Sequence, residues 1–149
     1  MPKPSPFSQS LREWMDIFMH RSMRGWMRFA KSTGLSMPQF SILMQLHHRG
    51  ACGMSEISGR FDVSAAAASQ LVEKLVQGGY IERTEDPNDR RAKMIQITPR
   101  GQELVKEGIV ERYRWLDEVT VKLSAEEKAK VVEALDILTE AAKQSEEKA

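Results

Sequence analysis

The chain has 149 residues, 41% hydrophobic and 29% charged, with a formal net charge of +1. This composition excludes wholesale disorder, and the single Cys52 excludes an internal disulfide, so one ordinary hydrophobic core is expected in a reducing, cytoplasmic setting. No window approaches eighteen consecutive apolar residues and MPKPSPFSQS has no apolar leader core, so neither a membrane span nor an export signal is expected. The near-neutral sum hides an uneven distribution. Residues 1 to 50 carry seven Lys/Arg against two Asp/Glu, residues 51 to 100 seven against seven, and residues 101 to 149 eight against twelve. Such polarity permits a polyanion on one side, although a pI near 7.9 is not the strongly basic signature of a nucleic-acid binder.

Taken in chain order, Met1 to Pro6, with three prolines, reads as a loose tail. Leu11, Trp14, Met15, Phe18, Met19, Met23, Trp26, Met27 and Ala30 then recur at three and four, which predicts a long amphipathic helix from Leu11 to Lys31. Gly34 ends it. Ser36 and Gln39 form a capping-box pattern for a second helix from Met37 to about His48, with Phe40, Leu43, Met44 and Leu46 apolar. A short helix follows from Met54 to Phe61. Ser64 then caps a helix running to Gln77, with Ala68, Leu71, Val72 and Leu75 inward. Asp62, in the turn between them, tolerates positive φ better than most residues. Gly78 and Gly79 stop the helix. Tyr80 to Thr84 and Lys93 to Ile97 are β-rich runs flanking Glu85-Asp86-Pro87-Asn88-Asp89, a hairpin with a polar tip. Thr98 caps a helix opened by Pro99 and expected to continue through Val119. Ser124 and Glu127 form another capping box, and Val131, Val132, Leu135, Leu138 and Ala142 give the last helix its face.

Helix, short turn, helix and hairpin is the winged helix-turn-helix order, in which the second helix enters a major groove. The segment EISGRFDVSAAAASQLVEKLVQGGYIERTEDPNDRRAKMIQITPRG resembles, without a gap, the core of the multiple-antibiotic-resistance regulator (MarR) family. Its sharpest elements are Asp86, Asp89, Arg90 and Arg91, then Ile95, Ile97, Thr98 and Gly101. The resemblance covers roughly residues 8 to 143. It implies a mainly α fold with a small β-hairpin wing in a single domain over 1–149. Residues 36–98 would be the winged helix-turn-helix lobe, and 1–35 with 99–149 the dimerisation helices. It further implies a homodimer acting on double-stranded DNA at a pseudo-palindromic operator, most simply as a repressor, with small phenolic or lipophilic molecules as effectors. Carried over, the effector site takes in Trp14, Phe18, Met44 and Tyr113.

The residues support DNA contact on their own terms. Arg90, Arg91 and Lys93 supply cations suited to phosphate or a narrow minor groove, while one of Asp86 and Asp89 holds one arginine and Arg90 reaches the groove. In the second helix, Ser64, Ser69, Gln70 and Lys74 are the polar readers, with Gln70 able to pair adenine bidentately. Ala65 and Ala66 can touch only thymine methyls, so shape and phosphate contacts are expected to outweigh base readout. The alanine run also fits a winged-helix module that has lost DNA binding and meets a protein instead. The methionine run at spacing four reads as a core or dimer stripe before it reads as a ligand wall. Cys52 reads as a buried structural thiol. With His20, His47 and His48 it shows no C-x-x-C or H-x-x-x-H spacing, so neither metal nor cofactor is expected. Catalysis is not expected either, because no nucleophile elbow, phosphate-binding glycine loop or acid/base cluster is present.

Overall fold

The computed structural model describes residues 5–86 and 93–146. In chain order the elements are α1 (Pro6–Thr33), α2 (Met37–Arg49), β1 (Cys52–Gly53), α3 (Met54–Arg60), α4 (Ala65–Gln77), β2 (Ile81–Glu85), β3 (Lys93–Ile97), α5 (Pro99–Tyr113), α6 (Trp115–Thr120) and α7 (Ala125–Glu146). The chain separates into two compact units, Met1–Tyr113 and Arg114–Ala149.

In the first unit, caps set the helix boundaries. Ser5 caps α1 by accepting from Ser8 N–H, and Pro6 supplies the preset φ of a first helical position, so the helix starts earlier than the apolar period suggested. Gly34 ends it at φ 75°, where a side chain would be strained. The Ser36–Gln39 capping box forms as expected: Gln39 Oε1 accepts from Ser36 N–H at 2.8 Å, and Ser36 Oγ accepts from Gln39 N–H at 3.4 Å.

The sheet has the order β1-β3-β2, all antiparallel. Ile81 faces Ile97 and Arg83 faces Ile95 across β2 and β3, while Cys52 faces Ile95 across β1 and β3. The two-residue strand β1 was not expected from the sequence. It is too short to show a period and exists only through its nonlocal pairing. Its Cys52, with Ile81, Ile95 and Ile97, joins Ile42, Leu43, Leu46, Ile57, Val72, Leu75 and Val105 in one core. A second cluster places Trp26 edge-on to Phe40, with ring centroids 4.5 Å apart.

Cys52 is buried and receives a long contact from Gln45 Nε2 at 3.8 Å. Burial, reinforced by the Glu56 charge, pushes its thiol above the ordinary value, so it stays protonated and unreactive at neutral pH. Labelling of the folded protein with a chromogenic disulfide reagent at pH 7.5 is therefore expected to be slower by about a hundredfold or more than in denaturant. Equal rates would contradict a structural thiol.

Two close approaches position the helices. A Cβ on Gly25 would lie 2.7 Å from the Glu111 carbonyl oxygen, so α1 and α5 meet backbone to backbone there. A Cβ on Gly101 would lie 2.1 Å from the Tyr80 carbonyl oxygen, at the foot of the hairpin.

In the second unit, Arg114 keeps right-handed helical dihedrals between α5 and α6, but Asp117 N–H bonds three residues back to its carbonyl. The continuous helix expected through Val119 is thereby divided by a tightened turn that needs neither glycine nor proline. The Ser124–Glu127 box opens α7, with Glu127 Oε2 accepting from Ser124 N–H at 2.8 Å. That backbone bond, then the Ser124 hydroxyl, holds the Glu127 carboxyl below its usual value. Along α7 no described residue is buried: Val131, Val132, Leu135 and Ile137 are between 44 and 65% exposed. Val131, Val132 and Leu135 share one face, so the helix is amphipathic.

Candidate nucleic-acid interface

The turn into α4 is built locally. Asp62 adopts φ 49°, the left-handed value expected of it, and Val63 N–H bonds back to the Ser58 carbonyl at 3.1 Å. Ser64 then stands extended and accepts from Ala67 N–H at 3.1 Å. Its oxygen is thus committed to the cap, which leaves the hydroxyl proton to donate outward.

With Ala68, Val72 and Leu75 buried, α4 turns Ser64, Ala65, Ala66, Ser69, Gln70 and Lys74 outward. This is the set expected to meet DNA, gathered on one side of one helix. Gln70 and Lys74 also border a groove of about 320 Å³ whose other walls include Gly34, Ser36 and Gln39. Lys74 has no ion-pair partner among the described residues, so its ammonium group is available to phosphate.

The hairpin is locked to this helix. Thr98 N–H donates to the Tyr80 carbonyl at 3.0 Å, Thr98 Oγ1 donates to the Gly79 carbonyl at 2.7 Å, and Gly101 N–H donates to Thr98 Oγ1 at 3.1 Å. One threonine therefore joins the end of α4, the start of β2 and the cap of α5. Arg83 reaches Glu73 of α4 at 3.0 Å, an ion link between helix and wing that sequence reasoning missed. Strand alternation places Arg83 on the Ile81 side, but only the fold brings Glu73 there. Arg100, also missed, lies 5.0 Å over the Tyr80 ring. Lys93 pairs with Glu85 at 3.7 Å across the hairpin, so phosphate must compete with a carboxylate for it. Arg90, Arg91 and Asp89 lie outside the described residues.

Of the expected effector residues, Phe18 and Tyr113 come together, with ring centroids 6.1 Å apart. Trp14 is one helical turn before Phe18 and partly exposed. Met44 instead packs against the two core clusters. Arg112 lies 5.4 Å over the Tyr113 ring, and its Nε is buried with no partner among the described residues.

A capped helix exposed along one side, held by its turn to a preceding helix and by threonine to a β-hairpin, defines a winged helix-turn-helix protein. Residues 35–93 match the MarR family. The chain is 31% identical over 117 residues to YfiV of Bacillus subtilis, an HTH-type transcriptional regulator, covering 78% of this chain and 70% of that one. It is 25% identical over 108 residues to YdgJ of the same organism, covering 72% and 66%. The match thus spans about two thirds of these relatives' length. The transcriptional regulator Tm0710 from Thermotoga maritima superposes with a TM-score of 0.81 at 27% identity, covering 95% of this chain and 97% of that one. S. aureus MepR, in a structure with a bound oligodeoxyribonucleotide, shares the fold at a TM-score of 0.66 and 20% identity, covering 89% and 97%. The chain belongs to the MarR family of HTH-type transcriptional regulators.

Proposed function

We propose that this regulator binds duplex DNA in the cytoplasm as a homodimer, lays α4 of each protomer in successive major grooves, and represses by occupying a pseudo-palindromic operator. The observation that carries this reading is the exposed, capped face of α4 beside a hairpin fastened to its end. The contacts fall to Ser64, Ala65, Ala66, Ser69, Gln70 and Lys74 in the major groove and to Arg90, Arg91 and Lys93 in the wing. With two alanines among them, base readout is modest and phosphate and shape contacts dominate. The exposed apolar residues of α7 support a second copy as the partner, since a solvent-facing apolar helix favours burial.

The Phe18–Tyr113 ring pair, with the Nε of Arg112 beside it unpaired among the described residues, supports a small phenolic or lipophilic effector. A ligand that prefers one spacing of the two reading heads would release DNA by shifting that population.

The test is a gel-shift titration with DNA from upstream of the gene itself. A shift at nanomolar dimer, competed by salt, is expected; no shift at low salt with micromolar dimer contradicts the reading. Within that assay, Arg90→Ala and Arg91→Ala are expected to weaken binding to all sequences and to flatten the log–log salt slope by about 1 for each phosphate that is no longer neutralised. Unchanged slopes for both would remove the wing from the interface.

A further inference from the structure

We propose that Thr98 is the positioning residue that fixes the angle of α4 against α5, and that through this angle it sets the half-site spacing the dimer accepts. The inference rests on the reading of α4 as the DNA-contacting helix of a dimer. Thr98 alone separates β3, which ends at Ile97, from α5, which begins at Pro99, so the connection has no slack. Its hydroxyl has one proton, which goes to the Gly79 carbonyl at 2.7 Å, while a lone pair takes the Gly101 N–H at 3.1 Å. A single oxygen is thus bonded to the end of α4 on one side and to the first turn of α5 on the other.

Both anchors are themselves held. Gly79, at φ 72°, donates its N–H to the Val76 carbonyl at 2.9 Å, and Tyr80 N–H reaches back to the Leu75 carbonyl at 3.0 Å, so the Gly79 carbonyl is fixed to the end of α4. Gly101 lies so near Tyr80 that a Cβ there would be 2.1 Å from its carbonyl oxygen. Other ties to α4 are of different kinds. Val105 of α5 shares a core with Val72 and Leu75 of α4, and apolar burial is non-directional, so it sets a separation more than a rotation. The Arg83–Glu73 pair ties α4 to β2, with side chains 38 and 47% exposed, where salt screens it. Hydrogen bonds are directional, so the angle falls to Thr98. Its leverage is large, because α4 is about 20 Å long. A swing of about 10° at the joint moves the Ser64 end by about 3.5 Å, close to the rise of one base pair.

A duplex selected by the parent protein from a random pool would be rebuilt with one base pair inserted or deleted between its half-sites. The parent is expected to lose about thirtyfold or more in affinity on either change. Thr98→Val keeps the shape of the side chain and removes both hydroxyl bonds. It is expected to bind the selected duplex about tenfold more weakly, and to lose no more than about threefold further when the spacing is changed. Thr98→Ser keeps the hydroxyl and is expected to restore the parent's spacing profile. Ile57→Val trims a fully buried side chain of α3 and is expected to lower the melting temperature by about as much as Thr98→Val, about 2 to 4 °C, yet to keep the parent's spacing penalty. A parent indifferent to spacing, or a Thr98→Val variant with the full penalty, would overturn the role of Thr98 while leaving DNA binding intact. The same blurred profile in Ile57→Val would overturn it too, by reducing Thr98 to a stabilising residue. A parent that retains no duplex would overturn the DNA reading itself, and this inference with it.

Discussion

Gly101→Ala is expected to destabilise the protein by about 2 kcal/mol or more, the balance of two opposed effects. Alanine in place of glycine favours a helix by at most about 1 kcal/mol, and less in a first turn. Against this, the new Cβ would sit 2.1 Å from the Tyr80 carbonyl oxygen and 2.8 Å from Ile97 Cγ1. The first of these is backbone, and that carbonyl already accepts from Thr98 N–H, so it cannot move without breaking the joint between hairpin and α5. Overpacking at such a site costs about 3 kcal/mol. Gly59 in α3 is the internal control, because a Cβ there meets nothing within 4 Å. Gly59→Ala is expected to stabilise by about 0.5 kcal/mol. Urea unfolding followed by tryptophan fluorescence, at one fixed protein concentration, checks both through midpoint shifts at constant slope. An unchanged midpoint for Gly101→Ala would contradict the close approach.

The second large effect is expected on α7. Val132→Glu with Leu135→Glu places two carboxylates at positions that are 58 and 48% exposed, so folding of the separate protomer has little to lose. Dimerisation does, because buried unpaired carboxylates are strongly disfavoured. The variant is expected to sediment as a monomer where the parent is a dimer. DNA affinity is expected to fall by about a hundredfold or more, since two linked half-site contacts become one. Glu133→Gln, off that face of α7, is expected to change neither. A charged variant that remains dimeric would move the interface away from α7.

These predictions divide in how far they could be read from sequence. The caps Ser36, Ser64, Thr98 and Ser124 were legible because a side chain bonding its own helix start is a local matter, and all four bonds are present. Asp62 was legible for the same reason. The inward and outward sides of α4 followed from period alone. What escaped is nonlocal. Strand β1 depends on Ile95, the Glu73–Arg83 link depends on the packing of hairpin against helix, and the pairing of Lys93 with Glu85 depends on hairpin register. The division at Arg114 escaped because nothing in its residue types interrupts a helix. Gly101 stood out only through the family resemblance, and its physical reason, the approach of Tyr80, required the fold.

Of the candidate site, the exposure of Ser64, Ala65, Ala66, Ser69, Gln70 and Lys74 was legible from helical period, whereas Arg90 and Arg91 lie outside the described residues. The fold adds a distinction between two lysines: the charge of Lys74 is unclaimed among the described residues, whereas that of Lys93 is shared with Glu85. In the proposed complex, Lys74 would meet phosphate without an internal competitor, whereas Lys93 would not.

The most direct test of the central claim is hydroxyl-radical footprinting on a duplex that the protein itself selects from a random pool at low salt. Two protected patches about 10 base pairs apart on one face of the helix, both absent with the α7 charge variant, are the predicted result. Failure of micromolar protein to retain any duplex, or a single patch unaffected by that variant, would contradict a dimer reading DNA through α4.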